Sequence, residues 1–256
     1  MDIGITTPWA GGSIADKTQV ETQTPHPLSL RTRDDARAAL ARAFEEAATM
    51  PGTLLPHEVL AELTEMASRI LEEVLELDDE EMAFGNGMSP WAYIVEHSID
   101  ATVAGLAVGR RLLDAAALRD LATGLFLQDI GKLALPESLV QKPGPFEPGE
   151  WELMMQHPQL GLEFLRDDSV PPRAKSVVRS HHERWDGSGY PSALIGEEIP
   201  LFARIAAVAD VFDAVTSARY HAPAVPPREG VEIVRGGTGS AFDPTVVEAF
   251  LASIRP

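Results

Sequence analysis

The 256-residue sequence contains no cysteine. Disulfides and thiolate-bound metal sites are therefore excluded, and any metal ion has to be held by histidine, carboxylate or water. Such ligands suit iron, manganese, magnesium or zinc. A chain of this length can bury a substantial core without help from a metal, so a metal site would serve function without having to hold the fold together.

Basic residues are scarce: 21 lysines and arginines stand against 39 aspartates and glutamates, which gives a formal net charge of -18. Binding to a nucleic-acid backbone needs clustered lysine and arginine, so we expect no nucleic-acid partner. A small phosphate ligand can still bind where a metal ion supplies the positive charge.

Long apolar runs are missing too, because no stretch approaches the roughly 20 apolar residues that cross a bilayer. The N-terminus lacks a basic segment followed by an apolar one, the pattern of a secretory signal. We therefore expect a soluble, cytoplasmic protein that does not interact with membranes.

The chain divides into three predicted parts. Residues 1–27 are rich in threonine, proline and glycine and lack an apolar period, which predicts an extended or mobile arm. Residues 28–85 predict a small helical N-terminal region with two helices between Thr32 and Leu77. Residues 86–256 have helical patterns broken by proline and glycine and no alternating strand pattern, which predicts an all-α domain.

Two adjacent histidines provide the strongest local signal. They stand in His181-His182-Glu183, followed by the turn Asp186-Gly187-Ser188-Gly189-Tyr190-Pro191. Neighbouring residues on a helix point about 100° apart, so two such histidines converge on one metal most easily at a helix end, which the glycine-rich turn supplies. Taken alone, a polar surface face explains the pair equally well.

The predicted helix 200–217 carries a second signal. One apolar stripe accounts for its core face, and another stripe sets Asp210 and Asp213 among alanines. Small neighbours leave room for an ion, whereas an unpaired buried carboxylate is costly. The alternative is a pair of acids on a solvent-exposed face.

Together, five segments resemble the ordered motifs of the HD-GYP family. They are Gln128-Asp129-Ile130-Gly131-Lys132, His157-Pro158, His181 to Pro191, Val208-Ala209-Asp210-Val211-Phe212-Asp213-Ala214, and Gly239 with Phe242-Asp243-Pro244. The resemblance covers about residues 90–254, whereas the first 85 residues match no element of the family.

The resemblance implies an HD-domain helical bundle that hydrolyses cyclic di-GMP to linear pGpG or GMP by a metal-activated water. It implies one or two divalent ions, with iron or manganese favoured over zinc or magnesium. The implied metal ligands are His97, Gln128, Asp129, His157, His181, His182 and Asp210. The implied catalytic residues are Asp129, Lys132 and Glu183, and the implied ligand-binding residues are Lys132, Asp186, Gly189, Tyr190, Pro191 and Arg219.

The sequence departs from the family where Gln128 replaces the histidine of the His-Asp doublet. Tyr93 stands where members with three metals carry a glutamate, so we expect no third ion. Two alternatives stay open. One is a catalytically impaired domain that senses a cyclic dinucleotide or docks a diguanylate cyclase through Gly189-Tyr190-Pro191, and the other is a hydrolase of another phosphorylated nucleotide.

Residues outside these motifs are expected to have ordinary structural roles. We expect His26 and His57 to be exposed polar residues, and the acids Glu72-Glu73 to lie on a solvated helix face. Trp151 and Trp185 are expected in the core or in a pocket wall, although Trp185 could flank a base.

Overall fold

The computed structural model describes residues 26–49, 54–77, 90–142, 144–166, 169–217 and 224–254. Three sequence predictions lie outside these ranges: the arm before His26, the domain boundary near residues 78–87, and the ligand-binding role of Arg219. The side chain of Tyr93 is also outside the description.

The described residues form α-helices joined by turns. They are α1 (Leu30–Thr49), α2 (His57–Glu76), α3 (Pro90–Gly109), α4 (Ala115–Leu127), α5 (Glu137–Val140), α6 (Pro148–Met154), α7 (His157–Phe164), α8 (Pro172–Ser180), α9 (Leu201–Thr216), α10 (Pro227–Gly236) and α11 (Pro244–Ser253). Two 3₁₀ turns lie at Ile130–Ala134 and Gly196–Glu198. Within the described ranges there is no β-strand, only two isolated bridges, so the all-α prediction is confirmed.

Helix α3 is the central helix of the bundle. It packs against α1, α2, α4, α9 and α11, and its buried residues lie around its whole circumference, as expected for a helix surrounded by others. Among these apolar residues it carries Glu96, His97 and Asp100, all buried. Because buried charges need partners, the residues that face these three side chains are informative about the site.

The N-terminal helices pack into the same core as the rest of the chain. Buried residues of α1 and α2 belong to one continuous apolar cluster with α3, α4 and α9. Arg33 and Arg37 of α1 also form partly buried ion pairs with Glu96 of α3, at 2.8 and 2.5 Å. The helical character of this region is as predicted, and α1 and α2 contribute directly to the surroundings of α3.

His26 is not an exposed residue, so that prediction is wrong. Its side chain is 7% exposed, and its Nε2 lies 2.7 Å from Oδ1 of Asp100 on α3. Its Nδ1 accepts a hydrogen bond from the backbone N–H of Leu28 at 3.0 Å. The described end of the predicted arm is thus attached to the central helix, whereas His57 is exposed as expected.

The 3₁₀ turn at Ile130–Ala134 lies very close to the start of α7, and this contact positions Asp129 relative to His157. A Cβ added to Gly131 would lie 1.9 Å from the backbone oxygen of His157, a distance that no side chain can occupy. Glycine is therefore required here, and the contact sets Asp129, two residues earlier, beside the first residue of α7.

None of the described helices is long and apolar enough to cross a bilayer.

Candidate metal centre

Asp129 and three other predicted metal ligands come together in one cluster. One ligand atom from each of Asp129, His157, His181 and His182 lies within 4.8 Å of all the others. His157 begins α7, and His181 and His182 directly follow the last residue of α8. The two adjacent histidines thus lie together at the end of α8, and their role as metal ligands stays a prediction.

The hydrogen bonds of two histidines determine which nitrogen atoms face the cluster. Nδ1 of His157 lies 2.8 Å from the backbone oxygen of Met154, and Nδ1 of His181 lies 3.0 Å from that of Val177. A carbonyl oxygen only accepts hydrogen bonds, so each neutral ring carries its proton on Nδ1. Both Nε2 atoms are therefore left with free lone pairs.

These lone pairs face one another and a carboxylate. The two Nε2 atoms are 3.3 Å apart, and Oδ1 of Asp129 lies 3.4 Å from His157 and 3.7 Å from His181. Among the described residues, this buried oxygen has no hydrogen-bond partner. A cluster made only of acceptors is electrostatically unfavourable unless a cation binds between them, so the residues present fit a divalent ion.

Burial also keeps His157 in the form that a metal needs. Removal from water lowers the pKa of His157 to about 3, and the nearby charge of Lys132 acts in the same direction, against the opposing effect of Asp129. The ring is therefore neutral at pH 7, as metal ligation requires.

His97 forms a second group on the other side of Asp129. Its Nε2 lies 2.9 Å from Oδ1 of Asp210 and 3.5 Å from Oδ2 of Asp129. Its Nδ1 lies 2.5 Å from Oδ2 of Asp213. The two oxygens of Asp129 thus face different histidine groups, which is the arrangement of a bridging carboxylate.

Asp213 is the residue whose role the sequence did not assign. Asp210 and Asp213 share one face of α9 and together contact both nitrogens of His97, and Asp213 is 1% exposed, so the solvent-face alternative is wrong. Burial lowers the pKa of His97, but hydrogen bonds to Asp210 and Asp213 outweigh it and raise the pKa to about 9. The two carboxylates therefore favour a positive charge at His97, which a proton or a metal ion at Nε2 supplies.

Gln128 is completely buried beside this second group. Its Nε2 lies 3.5 Å from Nε2 of His97, and its Oε1 has no hydrogen-bond partner within the described part of the chain. The side chain therefore reaches the predicted ligand set and retains one unused acceptor.

Lys132 is bonded to the bridging carboxylate. Its Nζ donates a hydrogen bond to Oδ2 of Asp129 at 2.6 Å, and its side chain is 16% exposed. Burial raises the pKa of Asp129, but the charge of Lys132, together with that of His97, outweighs it and holds the pKa well below its usual value. Asp129 is therefore ionised, and Lys132 lies at the edge of the cluster.

Glu183 and Asp186 hold the loop that follows the two histidines. The carboxylate of Glu183 accepts hydrogen bonds from the backbone N–H groups of Ser192 at 2.7 Å and Leu194 at 3.1 Å. Asp186 accepts two hydrogen bonds from Ser188. These contacts stabilise the loop, and the predicted catalytic role of Glu183 and ligand-binding role of Asp186 stay predictions.

The loop returns to the metal cluster through Gly189 and Tyr190. A Cβ on Gly189 would lie 2.3 Å from the backbone nitrogen of Arg184, so only glycine allows the loop to lie this close to the end of α8. The ring of Tyr190 stacks on that of His182, with centroids 4.8 Å apart and planes 24° apart. Tyr190 thus faces the cluster, while Pro191 is exposed.

The comparison with protein families agrees with this geometry. Residues 88–246 match the model of the HD domain family. That range contains every residue of the centre described above, from His97 on α3 to Asp213 on α9.

Two relatives show how the likeness extends along the chain. The first, a cyclic di-GMP phosphodiesterase of Vibrio cholerae, is 44% identical over 133 residues, which are 49% of this chain and 27% of the relative. The second, the cyclic di-GMP phosphodiesterase response regulator RpfG of Xanthomonas campestris, is 35% identical over 228 residues, 88% of this chain and 58% of the relative. The chain thus spans between about a quarter and three fifths of these proteins.

A solved structure shares the fold. The structure of an HDGYP protein from Bdellovibrio bacteriovorus superimposes with a TM-score of 0.64 over 86% of this chain and 69% of that one, at 16% sequence identity. At this identity the likeness concerns the fold alone. The domain match, which covers more than half of the sequence, shows that the chain belongs to the HD domain family.

Proposed function

We propose that this chain is a metal-dependent phosphodiesterase that hydrolyses cyclic di-GMP to linear pGpG or GMP. The observation that carries the proposal is the cluster of Asp129, His157, His181 and His182, in which Oδ1 of Asp129 is buried and has no hydrogen-bond partner among the described residues. The names of the two relatives support the choice of substrate.

The residues divide the work in a way that suits phosphodiester hydrolysis. When bound, a divalent ion supplies Lewis acidity, which activates water and polarises a phosphoryl group. Asp129 links the two histidine groups through its two oxygens. Lys132, bonded to Asp129 at the edge of the cluster, is positioned to stabilise negative charge that develops on a phosphate.

Iron or manganese is the favoured ion, with zinc or magnesium as alternatives. The donors are imidazole nitrogens and carboxylate oxygens, a mixed set that suits borderline metals better than magnesium. Two ions would require both groups, with His97 and Asp210 holding one and His157, His181 and His182 the other, each together with Asp129, whereas the His157 group alone would hold one.

The experiment compares the wild type with Asp129→Asn after loading with iron or manganese under anaerobic conditions. We expect the wild type to bind at least one ion per chain and to convert cyclic di-GMP, with one water consumed for each phosphodiester bond broken. Asp129→Asn keeps the size of the side chain but removes the charge, so both metal content and turnover should fall to background.

The control is Glu248→Gln, which removes a carboxylate from an exposed position on α11. This variant should match the wild type in metal content and turnover. A wild type that binds no stoichiometric metal under any loading condition, or that is metal-loaded and leaves every cyclic dinucleotide intact, would contradict the proposal.

Docking of a diguanylate cyclase through Gly189-Tyr190-Pro191 stays a prediction. Gly189 lies against backbone atoms and Tyr190 packs on His182. A partner would therefore contact Pro191 and the exposed residues after it. Cytoplasmic location likewise stays a prediction.

A further inference from the structure

Trp151 is exposed beside the metal centre. It lies on the short helix α6, and 44% of its surface is accessible. Of the two expected positions, the core is therefore wrong, and a pocket wall stays a prediction. Exposed large aromatic side chains are uncommon on a soluble protein and are typical of binding surfaces when they adjoin a functional site.

A row of rings connects Trp151 to a metal ligand. The centroid of Trp151 lies 6.0 Å from that of Tyr190, and the two rings meet edge to face at 77°. Tyr190 in turn stacks on His182 at 4.8 Å. Trp151 therefore stands two ring contacts away from the cluster that would hold the phosphate.

Two further neighbours of Trp151 are Phe146 and Glu150. Phe146 lies 6.0 Å away with its ring plane at 29°, which widens the aromatic surface. Glu150, the preceding residue, is paired with Lys142, so its charge is already compensated. Apolar surface next to the centre thus continues outwards along Tyr190, Trp151 and Phe146.

We propose that Trp151 is the stacking platform of a purine subsite, which holds one base of the cyclic dinucleotide while its phosphate lies at the metal cluster. This inference rests on the proposed function. A nucleobase is flat and uncharged, so its binding by stacking needs none of the basic residues that this acidic chain lacks. Stacking is tolerant of base identity, so the subsite adds affinity for any purine dinucleotide.

Trp185 lies on the same loop as Tyr190 and serves as a comparison for Trp151. It is half-buried, and the guanidinium carbon of Arg204 lies 5.7 Å from its ring centroid. Its ring is thus already in contact with a cation. Substitution of Trp185 removes a tryptophan near the centre without touching the row of rings described above.

The experiment measures steady-state hydrolysis of cyclic di-GMP by the metal-loaded full chain and its Trp151→Ala and Trp151→Phe variants. For Trp151→Ala we expect KM to rise roughly five- to a hundredfold, the usual effect of losing one base–aromatic stack. We expect kcat and metal content to stay near the wild-type values. Trp151→Phe keeps an aromatic face and should recover most of the affinity.

Two controls separate stacking from general damage. Ile233→Ala removes an exposed apolar side chain from α10 and should leave KM unchanged. Tryptophan fluorescence should be quenched by cyclic di-GMP in the wild type and in Trp185→Phe, whereas most of the quenching should disappear in Trp151→Phe.

The outcomes distinguish this inference from the function on which it rests. An active wild type whose KM is unchanged in Trp151→Ala, or a variant that loses kcat or metal at constant KM, overturns the subsite and leaves the proposed function standing. A metal-loaded wild type that neither binds nor hydrolyses a cyclic dinucleotide overturns both.

Discussion

Gln128 stands where the resemblance to the HD-GYP motifs predicts a histidine ligand. It follows the last residue of α4 and is completely buried, with Oε1 unpaired within the described ranges. An amide oxygen is a weaker ligand than an imidazole nitrogen for a borderline metal. We therefore expect the His97 group to hold its ion more weakly than the His157 group.

The variant Gln128→His should strengthen the His97 group, because His97, Asp129 and Asp210 are already in place. We expect a second ion to bind and turnover to rise at least about tenfold, which needs only ~1.4 kcal/mol of additional transition-state stabilisation. Metal stoichiometry and turnover of both proteins, measured side by side, check this.

The matched variant Gln128→Leu removes the amide and keeps an apolar side chain of similar size. If Gln128 contributes little to binding, this variant should resemble the wild type. A wild type that already holds two ions and turns over as fast as Gln128→His would show that the amide is an adequate ligand.

Asp213 orients His97 without facing the cluster itself. It contacts Nδ1 of His97 at 2.5 Å and accepts a hydrogen bond from Oγ of Ser217 at 2.8 Å. In Asp213→Asn the charge is lost and an N–H donor can face Nδ1, which disfavours the tautomer with a free lone pair on Nε2. We expect metal affinity or turnover to fall about 10- to 100-fold.

Equilibrium titration with manganese measures the metal affinity of Asp213→Asn, and Ser217→Ala is the control. Ser217→Ala leaves the contact between Asp213 and His97 intact, so its metal affinity should fall much less. Equal losses in the two variants would show that Asp213 does not act through the orientation of His97.

At the residue scale, the sequence shows which side chains cluster better than it shows what supports them. The order of the motifs along the chain points to Asp129, His157, His181 and His182, which the structure brings together. The role of Asp213 depends on a contact across 116 residues, and that of His26 on one across 74. No local pattern reports such a contact, because it is created by the packing of helices.

At the scale of the helices, the N-terminal end of α1 is capped by a residue of α2. Glu73 of α2 accepts hydrogen bonds from the backbone N–H of Ser29 at 2.8 Å and from its Oγ at 2.9 Å, and also from Oγ1 of Thr32. The prediction of a solvated face is therefore wrong for Glu73. Periodicity located α1 and α2 but could not show that their ends meet.

The cap makes part of the stability depend on pH. Burial raises the pKa of Glu73, but the hydrogen bonds from Thr32 and Ser29 and the charge of Arg69 outweigh it and lower the pKa below its ordinary value of 4.5. A group whose pKa is lowered by folding stabilises the protein above its unfolded pKa. This contribution is lost as the pH falls below about 4.5.

We predict that Glu73→Gln lowers the free energy of unfolding at pH 7 by about 1 kcal/mol, the usual size of a helix-cap effect. The difference from the wild type should shrink as the pH falls from 5 to 3. Urea unfolding of both proteins at several pH values measures this difference in the free energy of unfolding.

Glu72→Gln is the control, because its side chain is exposed on the neighbouring position of α2 and should change stability by no more than about 0.5 kcal/mol. A pH-independent difference for Glu73→Gln would show that the charge of the cap does not matter.

For the whole molecule, metal binding and folding are coupled because the ligands come from helices that meet only in the native state. Manganese or iron should therefore raise the melting temperature. An ion present at a hundred times its dissociation constant adds about 2.7 kcal/mol, which corresponds to a shift of roughly 5–10 °C for a protein of this size.

Calorimetry with and without a chelator checks this, and Asp129→Asn should show no shift. Equal melting temperatures for metal-loaded and metal-free wild type would mean that the cluster binds no ion tightly. The shift concerns the complete chain, since α1 and α2 share its core.

The wide separation of His97 from its two carboxylate partners also constrains the order of events during synthesis. The ribosome releases α3 well before α9, and the contact between His97 and Asp213 spans 116 residues. A nascent chain therefore carries the central histidine while it still lacks the groups that orient it. The His97 group can therefore hold an ion only after α9 has left the ribosome and packed, so an ion at that group would enter a nearly finished protein and would not guide its early folding.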